Sequence, residues 1–574
     1  MDDTMRETAR TAARKHALLN AVKHGTDPEV GAVMGPLMGE NPDLRQHADD
    51  VSGVVAAVVS EVGDLSPDAR RAELSEIAPD ELADIEAENE ADGHPLPDLP
   101  NADGYGEIRM RAAPNPNGPW HIGHGRMPAV IGTYRDRYDG IFILRFDDTD
   151  PAGKRPDPDA YDWIREAIAY LGFEYDEEYL ASDRLETYYE HARNLIDAGG
   201  AYTCSCPAGE FSELKAAGDA CPHREKEPAT VHDEFQGMVD GEYDPGDLVL
   251  RVRTDLDDPN PALRDWVAFR MIDETHPRTE AGEIDGYDCW PLLDFQSGID
   301  DHLTGVTHII RGIDLQDSAK RQQYVYDYFD WSYPEVIHWG YVQVRGDYDV
   351  PLSTSTIRER IETGDLDGWD DPRAPTIASL RRRGIRGAAI TETMVALGTS
   401  TNDIDLSMSS LYANNREIVD AEADRYFLVR DGVERPVVGG PEVATPPVHP
   451  EFEDRGRREI PVADTVLLEP DDVPDDGERA WLKGYGPVRA DGAELSVIDL
   501  EVDTALDEDV PFVHWVPADD TCQVRLRTVT GDVTGLAEPG SVDATPGSIV
   551  QFERVGYARV DRHDDETVAH FTHR

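Results

Sequence analysis

The sequence predicts a multidomain α/β protein with a helical N-terminal domain and a β-rich C-terminal region. Three observations predict it. From about residue 101, strand-like apolar runs alternate with helix-like stretches. A Cys-bearing segment near residues 204–223 interrupts that alternation. After about residue 426, short Val-rich runs are separated by Asp/Gly/Pro turns, the pattern of antiparallel β-barrels. A chain of 574 residues is long enough for several such domains.

Residues 1–100 form the helical part. Ala13, Leu18, Leu19 and Val22, and then Val54, Val55, Val58 and Val59, recur at helical spacing. Thr26-Asp27-Pro28 and Ser66-Pro67-Asp68 read as turns or N-caps. The segment closes with the acidic run Glu86–Glu90 and Pro95-Leu96-Pro97, a linker composition. A bundle of this kind implies a docking partner or simple packing, and the residues leave both open.

Residues 101–203 begin with a strand at Glu107–Met110. Pro114-Asn115-Pro116-Asn117-Gly118-Pro119-Trp120-His121-Ile122-Gly123-His124 follows, and Gly125 leads into a helix. Two imidazoles thus sit at a helix N-terminus, whose free N–H groups and positive dipole end suit a phosphate chain. The alternative is a capped turn with surface histidines. Gly140–Phe146 reads as a buried strand ending in Asp147-Asp148-Thr149-Asp150-Pro151, and α/β sheets place ligands at such strand ends. A helix over Tyr161–Leu171 comes next.

Residues 204–300 are an insertion carrying Cys204-x-Cys206 and Cys221-x-His223. Four soft or borderline ligands in two short pairs suit tetrahedral zinc, with every position filled by protein and the site therefore structural. The alternative is unligated thiols near a turn. The sheet pattern resumes over residues 301–371 with Gly305–Gly312. Residues 372–425 read as helical and hold the basic run Arg381, Arg382, Arg383 and Arg386. Residues 426–574 complete the chain as β-barrels.

Charge is the second global feature. The net charge is −63, and lysine occurs only at Lys15, Lys23, Lys154, Lys215, Lys226, Lys320 and Lys483. Acidic residues are spread throughout, while aliphatic and aromatic residues persist, so the composition is that of a folded protein adapted to very high salt. At ~1 M salt the Debye length is about 3 Å and self-repulsion is screened. The counterion-release drive for nucleic-acid binding shrinks in the same solvent, so acidity does not exclude an RNA partner. No run spans a bilayer, no signal peptide is visible, and five cysteines make no disulfide scaffold, which together predict a soluble cytoplasmic protein without membrane association.

Two arginines stand out as ligand candidates. Arg111 precedes the Pro-rich loop and Arg311 ends the strand Ile309-Ile310-Arg311-Gly312. Each could close a structural salt bridge. Converging on one pocket, they would suit a dicarboxylic amino acid, with Asp147 available to its α-ammonium group.

Arg111–Gly118, the His-Ile-Gly-His run, Leu144–Pro151 and Asp300–His308 follow one another in an order that resembles the glutamyl/glutaminyl-tRNA synthetase group. The likeness covers about residues 101–574. It implies a class I synthetase Rossmann-like catalytic domain (101–203 and 301–371). It also implies an inserted acceptor-stem domain with a zinc knuckle (204–300), a helical stem-contact domain (372–425) and anticodon-binding β-barrels (426–574). Residues 1–100 lie outside the resemblance, and a protein partner docked there and simple packing both stay open. The β-type C-terminus is similar to archaeal glutamyl and to glutaminyl enzymes, and with the acidity it points to a haloarchaeal source.

The resemblance assigns roles. ATP, with Mg²⁺, would lie on Pro114, Asn115, Pro116, Asn117, Gly118, Gly123 and Gly125, its phosphates held by His121 and His124. L-glutamate would be held by Arg111, Asp147 and Arg311, and tRNA contacted by Arg381, Arg382, Arg383 and Arg386. Glutaminyl members carry a small uncharged residue where this chain has Arg311, so the cation selects glutamate. The implied partners are tRNA-Glu and, by analogy with haloarchaeal members, tRNA-Gln. Activation of glutamate in this group waits for tRNA. A glutaminyl enzyme and a non-catalytic tRNA-binding relative remain the alternatives.

Two positions depart from the pattern. The second signature is Val350-Pro351-Leu352-Ser353-Thr354-Ser355-Thr356-Ile357, with Ser353, Thr354 and Ser355 in the catalytic positions. Thr354 stands where the group has a lysine, and losing one such contact costs on the order of 10²–10³ in rate. Arg345, Arg358 or Arg360, helped by the abundant cations of the solvent, are the candidates to supply the charge. Leu293 stands where related enzymes place a Tyr against the amino acid.

Overall fold

The computed structural model describes residues 3–24, 30–40, 47–63, 67–79, 96–344, 350–462 and 464–574, with Pro28, Leu44, Leu65, Leu82 and Tyr348. Thr26, Asp27, Ser66, residues 86–95 and Arg345 lie outside the described residues. The chain divides into two compact units. One comprises Met1–Gly118, Arg126–Gln343 and Thr391–Ser410; the other comprises Pro119–Gly125, Val344–Ile390 and Leu411–Arg574. No described helix is long and apolar enough to cross a membrane.

The first unit opens with helices Asp3–His24, Val30–Glu40, Ala48–Gly63 and Pro67–Ile77. Ala13, Leu18, Val55 and Val58 are fully buried among them, so the helical spacing read from the sequence marks their packed faces. Arg14 bridges Glu61 and Glu73 across three of these helices.

The strands of this unit are β1 Arg109–Ala112, β2 Ile141–Phe146, β3 Glu177–Leu180, β4 Ala201–Cys204, β5 Val249–Val252, β6 Val267–Met271, β7 Cys289–Pro291, β8 His308–Gly312 and β9 Glu335–Trp339. A five-stranded sheet runs β3-β2-β1-β8-β9 with every pair parallel. Its inner strands β2 and β8 are almost wholly buried, with Arg145 and Arg311 set among apolar residues, whereas the edge strands β3 and β9 are half-buried. The order reverses between β1 and β8, and an open α/β sheet binds ligands in the crevice at that reversal. Arg111 lies on β1 and Arg311 near the end of β8, on the two strands that flank it.

The insertion folds as an antiparallel sheet in the order β4-β5-β6-β7. Its strands run from Ala201 to Pro291. Tyr189, Phe235, Phe269 and Trp290 fill its core. Helix Leu293–Leu303 returns the chain to β8.

In the second unit, helix Ile377–Arg383 starts at Thr376, whose Oγ1 accepts from the Ser379 N–H at 3.0 Å, and stops at Gly384, where φ is 88°. Two seven-stranded sheets follow. One places Gly556–His563 and Thr567–His573 at its centre; the other centres on Gly486–Asp491 and Glu494–Val497. Most pairings are antiparallel. Four are parallel, such as Cys522–Thr528 with Thr567–His573 and Val433–Val438 with Glu494–Val497. Val466, Leu482, Val488 and Trp515 pack one core, and Leu526, Phe552 and Val560 the other.

Candidate active site and metal centre

At the reversal point of the first unit lies a buried network of charges. Asp301 is at its centre. Arg111 forks onto it, Nε to Oδ1 at 3.0 Å and Nη2 to Oδ2 at 3.2 Å, and Arg145 Nη1 donates to Oδ1 at 2.7 Å. Arg145 also donates Nε to Asp147 Oδ1 at 2.7 Å and Nη2 to Ser297 Oγ at 2.8 Å. Asp300 accepts from Arg184 Nε at 2.8 Å, from Tyr188 Oη at 2.5 Å and from Gln296 Nε2 at 3.2 Å. Gln296 Nε2 reaches Asp147 Oδ1 as well, at 3.0 Å.

Helix Leu293–Leu303 supplies Gln296, Ser297, Asp300 and Asp301. The spacings 296/300 and 297/301 put these polar groups on the adjoining turns of one face. Burial pushes the Asp301 carboxyl up, but Arg111 and Arg145 outweigh it and hold it at about 2. Asp147 and Asp301 likewise overcome burial at Arg145 and raise it well above the ordinary arginine value.

Arg311 differs from its neighbours. Its side chain is 5% exposed, and its nearest carboxylate oxygen, Asp301 Oδ2, lies 3.8 Å away. Nη1 donates to Gln322 Oε1 at 3.2 Å, while Nε and Nη2 are buried with no hydrogen-bond partner among the described residues. Burial and the nearby Arg111 lower its affinity for its proton. Arg111, Arg145, Arg184 and Arg311 face Asp147, Asp300 and Asp301, four cations to three anions, and Arg311 is the cation left over. An orphaned buried guanidinium is costly unless an anion completes it.

Arg111, Asp147 and Arg311 are therefore brought together as the sequence suggests, with different freedoms. Arg111 is committed to Asp301. Asp147 Oδ1 is taken by Arg145 and Gln296, and its Oδ2 has only a 3.4 Å contact to Arg145. Sequence reasoning assigned nothing to Arg145, Gln296, Ser297, Asp300, Asp301 or Gln322. Leu293 is 41% exposed at the start of its helix.

The Pro-rich lead is pinned to the end of β2. The Asp147 N–H donates to Pro114 O at 2.9 Å, Asn115 Nδ2 donates to Asp147 O at 2.9 Å, and the Asp157 N–H donates to Pro116 O at 2.8 Å. Asn115 Oδ1 is buried and unpartnered among the described residues. Gly118 has φ 154°.

The second unit holds the histidine loop. The Ile122 N–H donates to Pro375 O, and the Ile377 N–H to Trp120 O, both at 2.9 Å. The His121 and His124 rings stack with centroids 3.7 Å apart, and the His121 N–H donates to His124 Nδ1 at 3.3 Å. Burial lowers His124 to about 4; burial and His124 lower His121 well below the ordinary value. Both rings are neutral near pH 7, so they offer hydrogen bonds rather than charge. A Cβ on Gly123 would lie 3.2 Å from the His121 ring and 3.3 Å from Leu352 Cδ1, which makes glycine the residue for this close approach.

Ser353 caps helix Thr354–Glu362, its Oγ accepting from the Thr356 N–H at 3.4 Å and lying 3.0 Å from Ser355 Oγ. Thr354 thus begins a helix whose N–H groups point outward from its start. Arg358 lies over the Trp369 ring at 5.5 Å and Arg360 pairs with Asp365. The expectation for the basic run needs one correction. Arg383 is 1% exposed, and its guanidinium donates to Tyr348 Oη, Tyr412 Oη, Phe571 O and Thr572 O, so it ties its helix to the last strand and has no face for RNA. Arg381 is exposed, and Arg382 and Arg386 are half-buried.

In the insertion, one ligand atom each from Cys204, Cys206, Cys221 and His223 lies within 4.8 Å of the others. Cys206 Sγ and Cys221 Sγ are each 3.4 Å from His223 Nδ1, while His223 Nε2 contacts Ser205 Oγ at 3.2 Å. Three thiols and one imidazole, oriented from behind by a hydroxyl, fit a closed tetrahedral zinc site.

Comparison with known proteins gives the family. Residues 107–421 match the family described as tRNA synthetases class I (E and Q), catalytic domain. Residues 423–504 and 512–561 match two anti-codon binding domains of the same class. The chain is 61% identical over 589 residues to a glutamate–tRNA ligase of Halobacterium salinarum, and 62% over 574 residues to one of Natronomonas pharaonis, the whole of both chains covered each time. It is 44% identical to the glutamate–tRNA ligase of Methanosarcina mazei, with 98% of each covered.

Removing the central anion should expose the network's energetics. Asp301→Asn is expected to lower stability by about 3–5 kcal/mol, because it leaves Arg111 and Arg145 buried without their shared carboxylate. Denaturant unfolding in molar KCl measures it.

Proposed function

The chain belongs to the class I tRNA synthetases of the E and Q group, and from that premise we infer that it attaches L-glutamate to the 3′ end of tRNA-Glu at the expense of ATP. The observation that carries the choice of glutamate is Arg311, a buried cation that no described carboxylate meets at hydrogen-bond distance, Asp301 standing 3.8 Å away. Glutamate brings one more negative charge than glutamine, and that charge matches the one cation left over. A hydrogen bond to a charged group contributes about 1.5–3 kcal/mol. A glutamine amide would leave the cation uncompensated.

The reaction runs in two steps. An oxygen of the glutamate α-carboxylate attacks the α-phosphorus of ATP and pyrophosphate leaves. A hydroxyl of the terminal ribose of tRNA then attacks the acyl carbon and AMP leaves. No enzyme nucleophile is required, so the residues act by positioning and by charge. Arg311 takes the γ-carboxylate. Arg111 helps hold the amino acid while fixing Asp301, and Asp147 Oδ2 accepts from its α-ammonium group. By the resemblance, ATP, which Mg²⁺ accompanies, is assigned to Pro114, Asn115, Pro116, Asn117 and Gly118 of the Pro-rich lead and to Gly123 and Gly125 of the histidine loop. His121 and His124, neutral before ATP arrives, donate to its phosphates. Ser353, Thr354 and Ser355 offer hydroxyls and helix-start N–H groups where other members use lysine.

Arg381, Arg382 and Arg386 contact tRNA, and the two C-terminal sheets read splayed anticodon bases. The protein also charges tRNA-Gln, a reading by analogy with haloarchaeal members of the group. The N-terminal helices dock a protein partner. Zinc held by Cys204, Cys206, Cys221 and His223 knits the two halves of the knuckle together and takes no part in the chemistry.

The test of function is tRNA-dependent ATP–pyrophosphate exchange in molar KCl. Exchange is expected with glutamate and tRNA-Glu together, and none with glutamine. Exchange with glutamine alone would reverse the assignment of Arg311, and no exchange beside tight tRNA binding would mark a non-catalytic relative. For the metal, one zinc per chain is expected by elemental analysis, falling to none in Cys206→Ser with a lowered melting temperature. A metal-free wild-type protein of unchanged stability would refute it.

A further inference from the structure

The side chain that holds Arg311 is itself neutral. Gln322 is buried on helix Gln316–Phe329, and its Oε1 accepts from Arg311 Nη1 at 3.2 Å and from Tyr333 Oη at 2.6 Å. Both partners are donors, which fixes the amide with its oxygen toward the guanidinium. Burial pushes the Tyr333 phenol up to about 12, so it remains a donor at neutral pH. A Cβ on Gly298 would lie 3.3 Å from Gln322 Cγ, so the glycine in helix Leu293–Leu303 makes room for the amide to sit there. Three features thus converge on one oxygen: a pinning phenol, a seat without a side chain, and a cation.

The arrangement has a consequence for charge. Every other arginine of the network meets a carboxylate at hydrogen-bond distance, whereas Arg311 meets an amide and stands 3.8 Å from Asp301. An amide oxygen orients a guanidinium without neutralising it. A carboxylate at the same place would complete the ion balance of the pocket before any substrate arrived.

We propose that Gln322 is the positioning residue that sets amino-acid specificity: it holds Arg311 in place as an uncompensated cation, so that only a substrate carrying a γ-carboxylate completes the site. The inference rests on the reading that Arg311 meets that carboxylate. Tyr333 is the second member of the device, because it holds the Gln322 amide in its orientation. Without that hold, Arg311 is free to close the gap to Asp301 and give up its charge to the protein.

The test compares Gln322→Glu, Tyr333→Phe and Arg311→Leu by tRNA-dependent ATP–pyrophosphate exchange in molar KCl. Glutamate and glutamine are supplied separately, kcat and KM are resolved, and melting temperatures report folding. Gln322→Glu is expected to raise the KM for glutamate about 100-fold with a smaller change in kcat, and to cut the glutamate-over-glutamine ratio of kcat/KM by a similar factor. Tyr333→Phe should raise the KM for glutamate roughly 10-fold and carries the test if Gln322→Glu does not fold. Arg311→Leu separates the two readings. If it abolishes glutamate preference while Gln322→Glu and Tyr333→Phe keep the wild-type ratio, the role of Gln322 is overturned and that of Arg311 stands. If Arg311→Leu keeps the preference, the underlying reading falls first.

Discussion

The Asp301 carboxylate, clasped by Arg111 and Arg145 in a fully buried position, is the interaction on which the catalytic unit depends. It joins three strands and one helix: Arg111 comes from β1, Arg145 from β2, Asp301 from the helix that leads into β8, and Arg311 from β8 itself. Charges buried this deeply are tolerated only when paired and hydrogen-bonded. The pairing is nearly complete, and the one deficit falls at Arg311, on a strand beside the point where the sheet reverses its order. A hydrophobic replacement of the network could give an equally stable fold, but it would lack a place that requires an anion.

The second unit solves a different problem. The histidine loop is fastened by backbone hydrogen bonds to Pro375 and Ile377, and helix Ile377–Arg383 is fastened by Arg383 to the last strand of the C-terminal sheet. Arg383 is a buried cation that meets only carbonyls and tyrosine hydroxyls, so it acts as a multi-branched hydrogen-bond donor. A lysine, with one terminal nitrogen, could not make the same four contacts at once.

How much of this was legible in the sequence depends on what kind of signal each residue gave. β2 and β8 stand out because strands covered on both faces are dominated by apolar residues, and the Cys/His knuckle stands out because ligand spacing is local. The histidine loop is legible from its Pro/Gly lead. Asp300, Asp301, Gln296 and Gln322 are not. Polar side chains three and four apart on a helix read as a solvated face, and nothing local reveals that the face turns inward toward arginines from three distant strands. Arg145 sits inside an apolar run with Asp147 two positions on, yet nothing local reveals its other partners, Ser297 and Asp301, which lie 152 and 156 positions away. Arg383 misleads in the opposite direction, since a basic run suggests a surface while this member of it is core. The strand pairings of the C-terminal sheets escape as well, because parallel pairs join segments far apart in the chain.

The account turns on Arg311, the one arginine of the buried network that meets no carboxylate at hydrogen-bond distance. Calorimetric binding of a hydrolysis-resistant glutamyl-adenylate analogue, set against its glutaminyl counterpart in molar KCl, measures that charge most directly. At least a 10-fold preference for the glutamyl analogue is predicted, the lower end of what a charge-assisted hydrogen bond contributes. Equal affinity for the two analogues would mean that Arg311 is compensated by the protein, and would contradict the account.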